Sequence, residues 1–270
     1  MAIASTPLTE CIGSQVHAGV ADLLVPENAA EVRRLLVERG VLVFRQLNIA
    51  DEDQVKLGGL IGQLRDEGTN HVFKVTINPE ENERAAYLRG SFLWHMDGTH
   101  DQVPVLGSLL SGRRLSAEGG DTLFANSYAA YEALPEATKT RIAGLKVVHS
   151  FTTSMERTGI EMTPAVRDYA AAIPDRTHSL VWTHASGRKS LVIGCHAKEV
   201  VGMGKAESDA LIAELMDWVT QDRFVYRHKW TVGDMLIWDN TGVLHRAEPY
   251  AMDSGRMMHR TTLLGEEAFS

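Results

Sequence analysis

Apolar residues recur at helical spacing over residues 26–40, where Val32, Leu35 and Leu36 share a stripe. Pro26 suits the first turn of that helix and Gly40 supplies its stop. The pattern then changes to a continuous β-branched and aromatic run, Val41-Leu42-Val43-Phe44, expected as a strand buried on both faces. Helical spacing returns over 51–64 and is lost between His71 and Arg89. There an extended stretch, 72–77, leads into a polar turn cluster at 78–83, a candidate flap beside a site.

Strand patterns follow at 105–110 and 122–124, separated by a turn placed around Arg113, Arg114, Gly119 and Gly120. Two short helices, 128–134 and 136–143, break at Pro135. Residues 152–178, with Pro164 and Pro174, show no period and are expected as a long loop of the kind that forms lids. The runs 180–184 and 189–193 flank Ala185-Ser186-Gly187-Arg188 as a hairpin. A helix over 208–219 aligns Leu211, Ile212, Leu215 and Trp218 to cover a sheet, and strands return at 224–230, 235–238 and 256–264. Helices first, then many short strands around one helical insert, predict a mainly β chain with helices (α+β). The expected form is one domain over 1–270, with a double-stranded β-helix (jelly roll) core and helices packed on one outer face.

Charge and cysteine content narrow the partners. A net charge of -8 with no clustered basic stretch argues against nucleic acid. Cys11 and Cys195 stand far apart in no metal-binding or redox pattern, which fits a cytoplasmic protein. No leader pattern and no apolar run of membrane-spanning length is present, so no membrane partner is expected; a homo-oligomer is the default for a soluble enzyme.

Candidate chemistry begins at Trp94-His95-Met96-Asp97-Gly98. An imidazole and a carboxylate two residues apart in an extended segment project from one face, and His245 offers a distant third ligand. Two His and one carboxylate with open positions suit non-haem Fe(II). The same set suits a hydrolytic Zn(II). On the last strand Arg256, Met258, Arg260 and Thr262 share a face by the period of two. Paired inward guanidinium groups call for anions, either internal carboxylates or an anionic ligand.

Four segments occur together in one order: Trp94-His95-Met96-Asp97, Gly119-Gly120-Asp121-Thr122, Trp238-Asp239-Asn240 with His245 beyond it, and Arg256-Met257-Met258-His259-Arg260. In this the chain resembles the taurine and aryloxyalkanoate dioxygenase (TauD/TfdA) family of Fe(II)- and 2-oxoglutarate-dependent enzymes, from about Val41 to Leu264. The segments at 224–230 and 192–196 are similar to the aryloxyalkanoate branch. The resemblance implies that His95, Asp97 and His245 bind Fe(II), that Arg256 holds the C5 carboxylate of 2-oxoglutarate, and that Thr122 assists. Arg260 would meet either the C1 carboxylate of 2-oxoglutarate or an anionic group of the substrate. The implied reaction consumes O2, yields succinate and CO2, and oxidises, by hydroxylation, a small organic substrate carrying an acidic group. By the family's logic Asp97 implies hydroxylation rather than halogenation, because a small residue there would open a place for halide. His71 and Ser91 are the substrate-side candidates, with Lys74 and Arg89 beside them. Ser91 stands where the taurine enzyme has a substrate-contacting Asn, which disfavours taurine. Two further readings remain, a zinc-dependent hydrolase and a non-catalytic jelly-roll binding protein; Thr122 and Arg256 have no hydrolytic task.

Overall fold

Val41–Phe44 is buried at all four positions because it lies inside a seven-stranded sheet. In this computed structural model, which describes residues 3–82, 85–159 and 161–269, that sheet runs Ala4–Pro7, Ser14–His17, Val41–Phe44, Met235–Asp239, Gly107–Arg114, Met257–Leu263, Phe73–Val75. Met235–Asp239 is the central strand, with Ile237 opposite both Leu42 and Leu109. Ser14–His17 pairs parallel with Val41–Phe44. A three-stranded sheet, Val225–His228, Thr122–Asn126 and Val243–Ala247, carries the C-terminal chemistry. Ala197–Val200, Lys146–His149 and Arg176–Ser179 form another, and Val181–Thr183 pairs with Lys189–Leu191 in the expected hairpin.

Alternation along the strands sorts side chains into layers. Leu42, Leu109, Ile237 and Leu263 face the helices Pro26–Arg39 and Asp51–Ile61, meeting Val32, Leu35, Leu36, Leu57 and Ile61. From the opposite face Val41, Val43, Leu236 and Trp238 pack on Phe124, Tyr226 and Val243 of the three-stranded sheet. That sheet is apolar on its far side too, where Ala125 and Leu244 join Trp182, Leu191 and Leu215. Each such side chain taken fully out of water contributes roughly 1.5–3 kcal/mol, which outweighs local propensity in setting these strands. Pro26 sits at the helix start and Gly40 ends it at φ 71°, as the sequence predicts.

Three expectations are corrected. Helices are not confined to one outer face. Lys205–Val219 buries Leu211, Ile212, Leu215 and Val219 in the core beyond the three-stranded sheet, because that sheet's far face also needs cover. Residues 152–178 are not a long loop. They hold the helices Phe151–Arg157 and Pro164–Ala172 and the strand Arg176–Ser179. Pro164 occupies the first helical position there, and the Ser150 and Thr163 hydroxyls accept from Thr153 and Val166 N–H as caps. Arg113 and Arg114 belong to the strand Gly107–Arg114 rather than a turn. The register slips at this point, Met257 facing Arg114 and Met258 facing Gly112, so Arg113 is the extra residue of a bulge. Cys11 and Cys195 are free thiols. Among the described residues no helix is long and apolar enough to cross a membrane.

Candidate metal centre and anion clamp

His245 stands in the middle of Val243–Ala247, and the segment carrying His95 lies against it. His95 N–H donates to the His245 carbonyl at 3.0 Å and His245 N–H to the His95 carbonyl at 2.9 Å. This reciprocal pair sets the imidazoles side by side, ring centroids 4.1 Å apart. Two residues on, Asp97 returns to the same side while the intervening Met96 is buried in the core. Its Oδ1 lies 3.5 Å from His95 Nε2 and its Oδ2 3.6 Å from His245 Nε2. One ligand atom from each residue falls within 4.8 Å of the others, the one such group among the described residues.

The orientation is fixed from behind. His95 Nδ1–H donates to the Leu93 carbonyl at 2.8 Å, which leaves the Nε2 lone pair facing Asp97. Asn240, fully buried, accepts from Asp97 N–H through Oδ1 at 2.9 Å. Its Nδ2 donates to the carbonyls of Asp97, at 2.8 Å, and Val105, at 3.0 Å. Trp238 lies against His245, ring centroids 4.9 Å apart, and is almost wholly buried. Burial, and then His245, push the His95 pKa down to about 4. Burial opposes ionisation of Asp97, but His245 and His95 outweigh it and hold the carboxyl well below the usual range. At neutral pH the cluster therefore presents a neutral imidazole and a carboxylate with no proton to displace, a donor set that fits a divalent ion.

Arg256 is 3% exposed. Its Nη2 donates to the Gly120 carbonyl at 3.1 Å, its guanidinium lies 4.6 Å from the Tyr250 ring centre, and its Nε has no partner among the described residues. Burial works against its charge, and Tyr250 and Asp121 only partly offset this. A buried cation with a free donor calls for an anion. Gly120, at φ +77°, makes the space: a Cβ there would meet Arg256 Nε at 2.9 Å. Thr122 sits two residues further on, in the strand beside His245. Its Oγ1 accepts from Trp230 Nε1 at 2.9 Å, which leaves the hydroxyl proton free to donate.

The other candidates differ. Arg260 is paired, through Nε and Nη2, with the two carboxylate oxygens of Glu67, each at 3.3 Å, and lies over the Phe73 ring. Burial opposes its charge, and Glu67 and Asp97 outweigh that. His71 Nδ1 bonds the Arg65 carbonyl at 3.0 Å within a two-residue turn between Thr69 and Val72. The Ser91 hydroxyl donates to the Leu88 carbonyl at 2.6 Å, Lys74 is exposed, and Arg89 contacts the Met252 sulfur. Asn240, Glu67, Tyr250 and Trp230 carried no assigned role in the sequence. Asn240 lay within a quoted motif, while Glu67 had no local signal.

A cluster of two imidazoles and a carboxylate suits a divalent metal ion, and a buried arginine with an unmatched donor suits an anion, the features of a metal-dependent enzyme class. Residues 4–262 match the family model described as Taurine catabolism dioxygenase TauD, TfdA family; the chain belongs to this family and is a 2-oxoglutarate-dependent dioxygenase. It is 35% identical to an alpha-ketoglutarate-dependent 2,4-dichlorophenoxyacetate dioxygenase of Cupriavidus pinatubonensis, over 92% of this chain and 94% of that enzyme. It is 32% identical to an (S)-phenoxypropionate/alpha-ketoglutarate-dioxygenase of Sphingobium herbicidovorans, over 86% and 84%. The crystal structure of AAD-2 in complex with Mn(II) and N-oxalylglycine superposes with a TM-score of 0.90 at 32% identity, covering 100% of this chain and 99% of that one. Family membership sets aside the hydrolase and the non-catalytic binding protein.

Proposed function

We propose that the chain hydroxylates a small aryloxyalkanoate-type acid, using Fe(II) held by His95, Asp97 and His245. The single observation that carries this reading is Arg256, a buried guanidinium with an unmatched donor, just before the strand that follows the one carrying His245, in a protein of this family. The relatives named for phenoxy acids support the substrate class. We also infer that the two sheets facing each other across Phe124, Val41 and Trp238 are the double-stranded β-helix of the family.

Bound Fe(II), with 2-oxoglutarate and O2, supplies the oxidant and couples decarboxylation to succinate and CO2 with substrate hydroxylation. The chain's own residues do the rest. Asp97 contributes the charge that balances a divalent ion, and Asn240 and Leu93 hold Asp97 and His95 at their angles. Arg256 grips the distal carboxylate of 2-oxoglutarate in a forked pair, with the Thr122 hydroxyl donating a third bond. Trp238 keeps water from the His245 side. Arg260 receives the acid group of the substrate, since it is a largely buried guanidinium whose charge acts on both His95 and Asp97 of the cluster.

Adding Fe(II) and then 2-oxoglutarate without oxygen tests this directly. A visible charge-transfer band is expected in the wild-type protein, and Arg256→Ala should need far more 2-oxoglutarate to reach it. Metal-loaded protein that gives no band at any 2-oxoglutarate concentration overturns the reading.

A further inference from the structure

We infer that Glu67 is an internal stand-in for the substrate's acid group, holding the Arg260 grip until a substrate carboxylate displaces it. This rests on the reading above that the acid group is received by Arg260. Three donors converge on this one carboxylate: Arg260 Nε and Nη2, one to each oxygen, and the Thr262 hydroxyl. A parallel two-point grip plus a hydroxyl is the arrangement expected for a ligand carboxylate. Yet both guanidinium bonds are 3.3 Å, where charge-assisted bonds run about 2.7–2.9 Å. The grip is made for a carboxylate, and its guanidinium half is long while the Thr262 hydroxyl meets the same carboxylate at 2.5 Å.

The backbone around Glu67 carries the side chain without enclosing it in a helix or strand. Leu64 is anchored by its bridge to Leu263 and Arg65 by its N–H to the Thr262 carbonyl, whereas residues 65–67 belong to no helix or strand. Beyond them the turn between Thr69 and Val72 places Asn70 at φ 52° and His71 at φ 62°, a left-handed pair that side chains other than glycine adopt reluctantly. Gly68, at φ +66°, sits where a Cβ would be 2.0 Å from the Val72 carbonyl. The bend itself is held by the reciprocal Thr69–Val72 bonds and by His71 Nδ1 on the Arg65 carbonyl, so the exchange moves the Glu67 side chain on a fixed backbone. The groove beside it gives the displaced carboxylate room, and although Asp51, Glu52, Asp66 and Glu81 also line it, Lys56 and the exposed Lys74 offer cations along the wall.

Charge explains what the exchange selects. Arg260 is buried, so stripping Glu67 from it without replacement would leave an unpaired buried cation. An incoming carboxylate replaces one anion by another and meets no such cost. A neutral analogue of the same shape cannot, and is rejected while Glu67 holds the grip.

The test uses the anaerobic Fe(II) and 2-oxoglutarate complex of the full chain. Phenoxyacetate and its neutral analogue phenoxyacetamide are titrated against the visible band in wild type, Glu67→Gln and Glu67→Asp, each shown folded by a cooperative thermal transition. Glu67→Gln should bind phenoxyacetate about tenfold tighter than wild type, the loss of one competing charge-assisted pair, with phenoxyacetamide unchanged. Glu67→Asp, one methylene short of the fork, should move the same way by less, and carries the test if the Gln variant does not fold. Unchanged, absent or weaker phenoxyacetate binding in the variants, or an equal gain for the amide, overturns the Glu67 inference while a normal band leaves the iron and 2-oxoglutarate reading standing. Loss of the band in wild type overturns that earlier reading instead.

Discussion

Asn240 touches neither a cosubstrate nor a substrate, yet two of its side-chain bonds hold the Asp97 backbone and a third holds the Val105 carbonyl. Asn240→Ala removes an acceptor and a donor from buried partners, which costs about 1–3 kcal/mol of stability. It should also lower divalent-ion affinity roughly 10–100-fold, because the carboxylate is no longer held in line with the imidazoles. Thermal unfolding and Mn(II) titration of the same variant check both, and unchanged Mn(II) affinity removes Asn240 from this role. Arg256→Lys keeps the charge but loses the planar fork and its free Nε, so 2-oxoglutarate binding should weaken about tenfold with little effect on metal affinity. The KM for 2-oxoglutarate against Mn(II) affinity separates the two. At this scale His95, Asp97 and His245 were legible because ligand chemistry restricts residue type and the pair has strand spacing. Glu67 was not, since one acid beside Asp66 in an irregular stretch looks like any solvated charge, and only the fold lays it on Arg260.

Elements bring these residues together, and glycines set how closely. Gly120 is at φ +77°, and its hydrogen faces Arg256 Nε where a methyl would be 2.9 Å away. Gly120→Ala is therefore strained twice, in its backbone and against the guanidinium. The expected outcome is a several-fold or greater rise in the KM for 2-oxoglutarate with the metal cluster intact. Equal KM values would mean that the turn yields without moving Arg256. Most strands and the two amphipathic helices were legible, since Val41–Phe44, Met235–Asp239 and Lys205–Val219 owe their form to burial that a hydrophobic period records. The stretch 152–178 was misread for a physical reason. A proline at a first helical position looks in sequence like a proline that breaks a helix, and the Thr163 hydroxyl cap before Pro164 decides between them. The bulge at Arg113 left no trace either, because register belongs to a pair of strands and not to one.

Across the whole molecule, layering buries imidazoles in a way that makes the fold sensitive to acid. Burial, with His245 adding to it, holds His95 down at about 4; burial with His178 and His100 holds His149 at about 3; burial and Arg188 hold His184 at about 4. In the unfolded chain each titrates near 6.5. As pH falls through that value the unfolded chain takes up protons that the folded one refuses, so the unfolded state binds more and stability declines. The contribution is complete above about pH 6.5 and is lost progressively toward pH 4 and below. For the metal-free protein the midpoint of thermal unfolding should therefore drop between pH 7 and pH 5, corresponding to at least ~2 kcal/mol. His149 has neither ring nitrogen bonded to a protein group among the described residues. His149→Phe should thus flatten part of that drop without touching the metal cluster. Bound Mn(II) should raise the midpoint at pH 7, where His95 and Asp97 offer it unprotonated ligand atoms. Melting curves at stepped pH, with and without Mn(II), measure both effects. A midpoint that holds steady or rises toward pH 5 would show that the buried imidazoles are charged and paired in the native state, and the neutral ligand set inferred for His95 would fall with it.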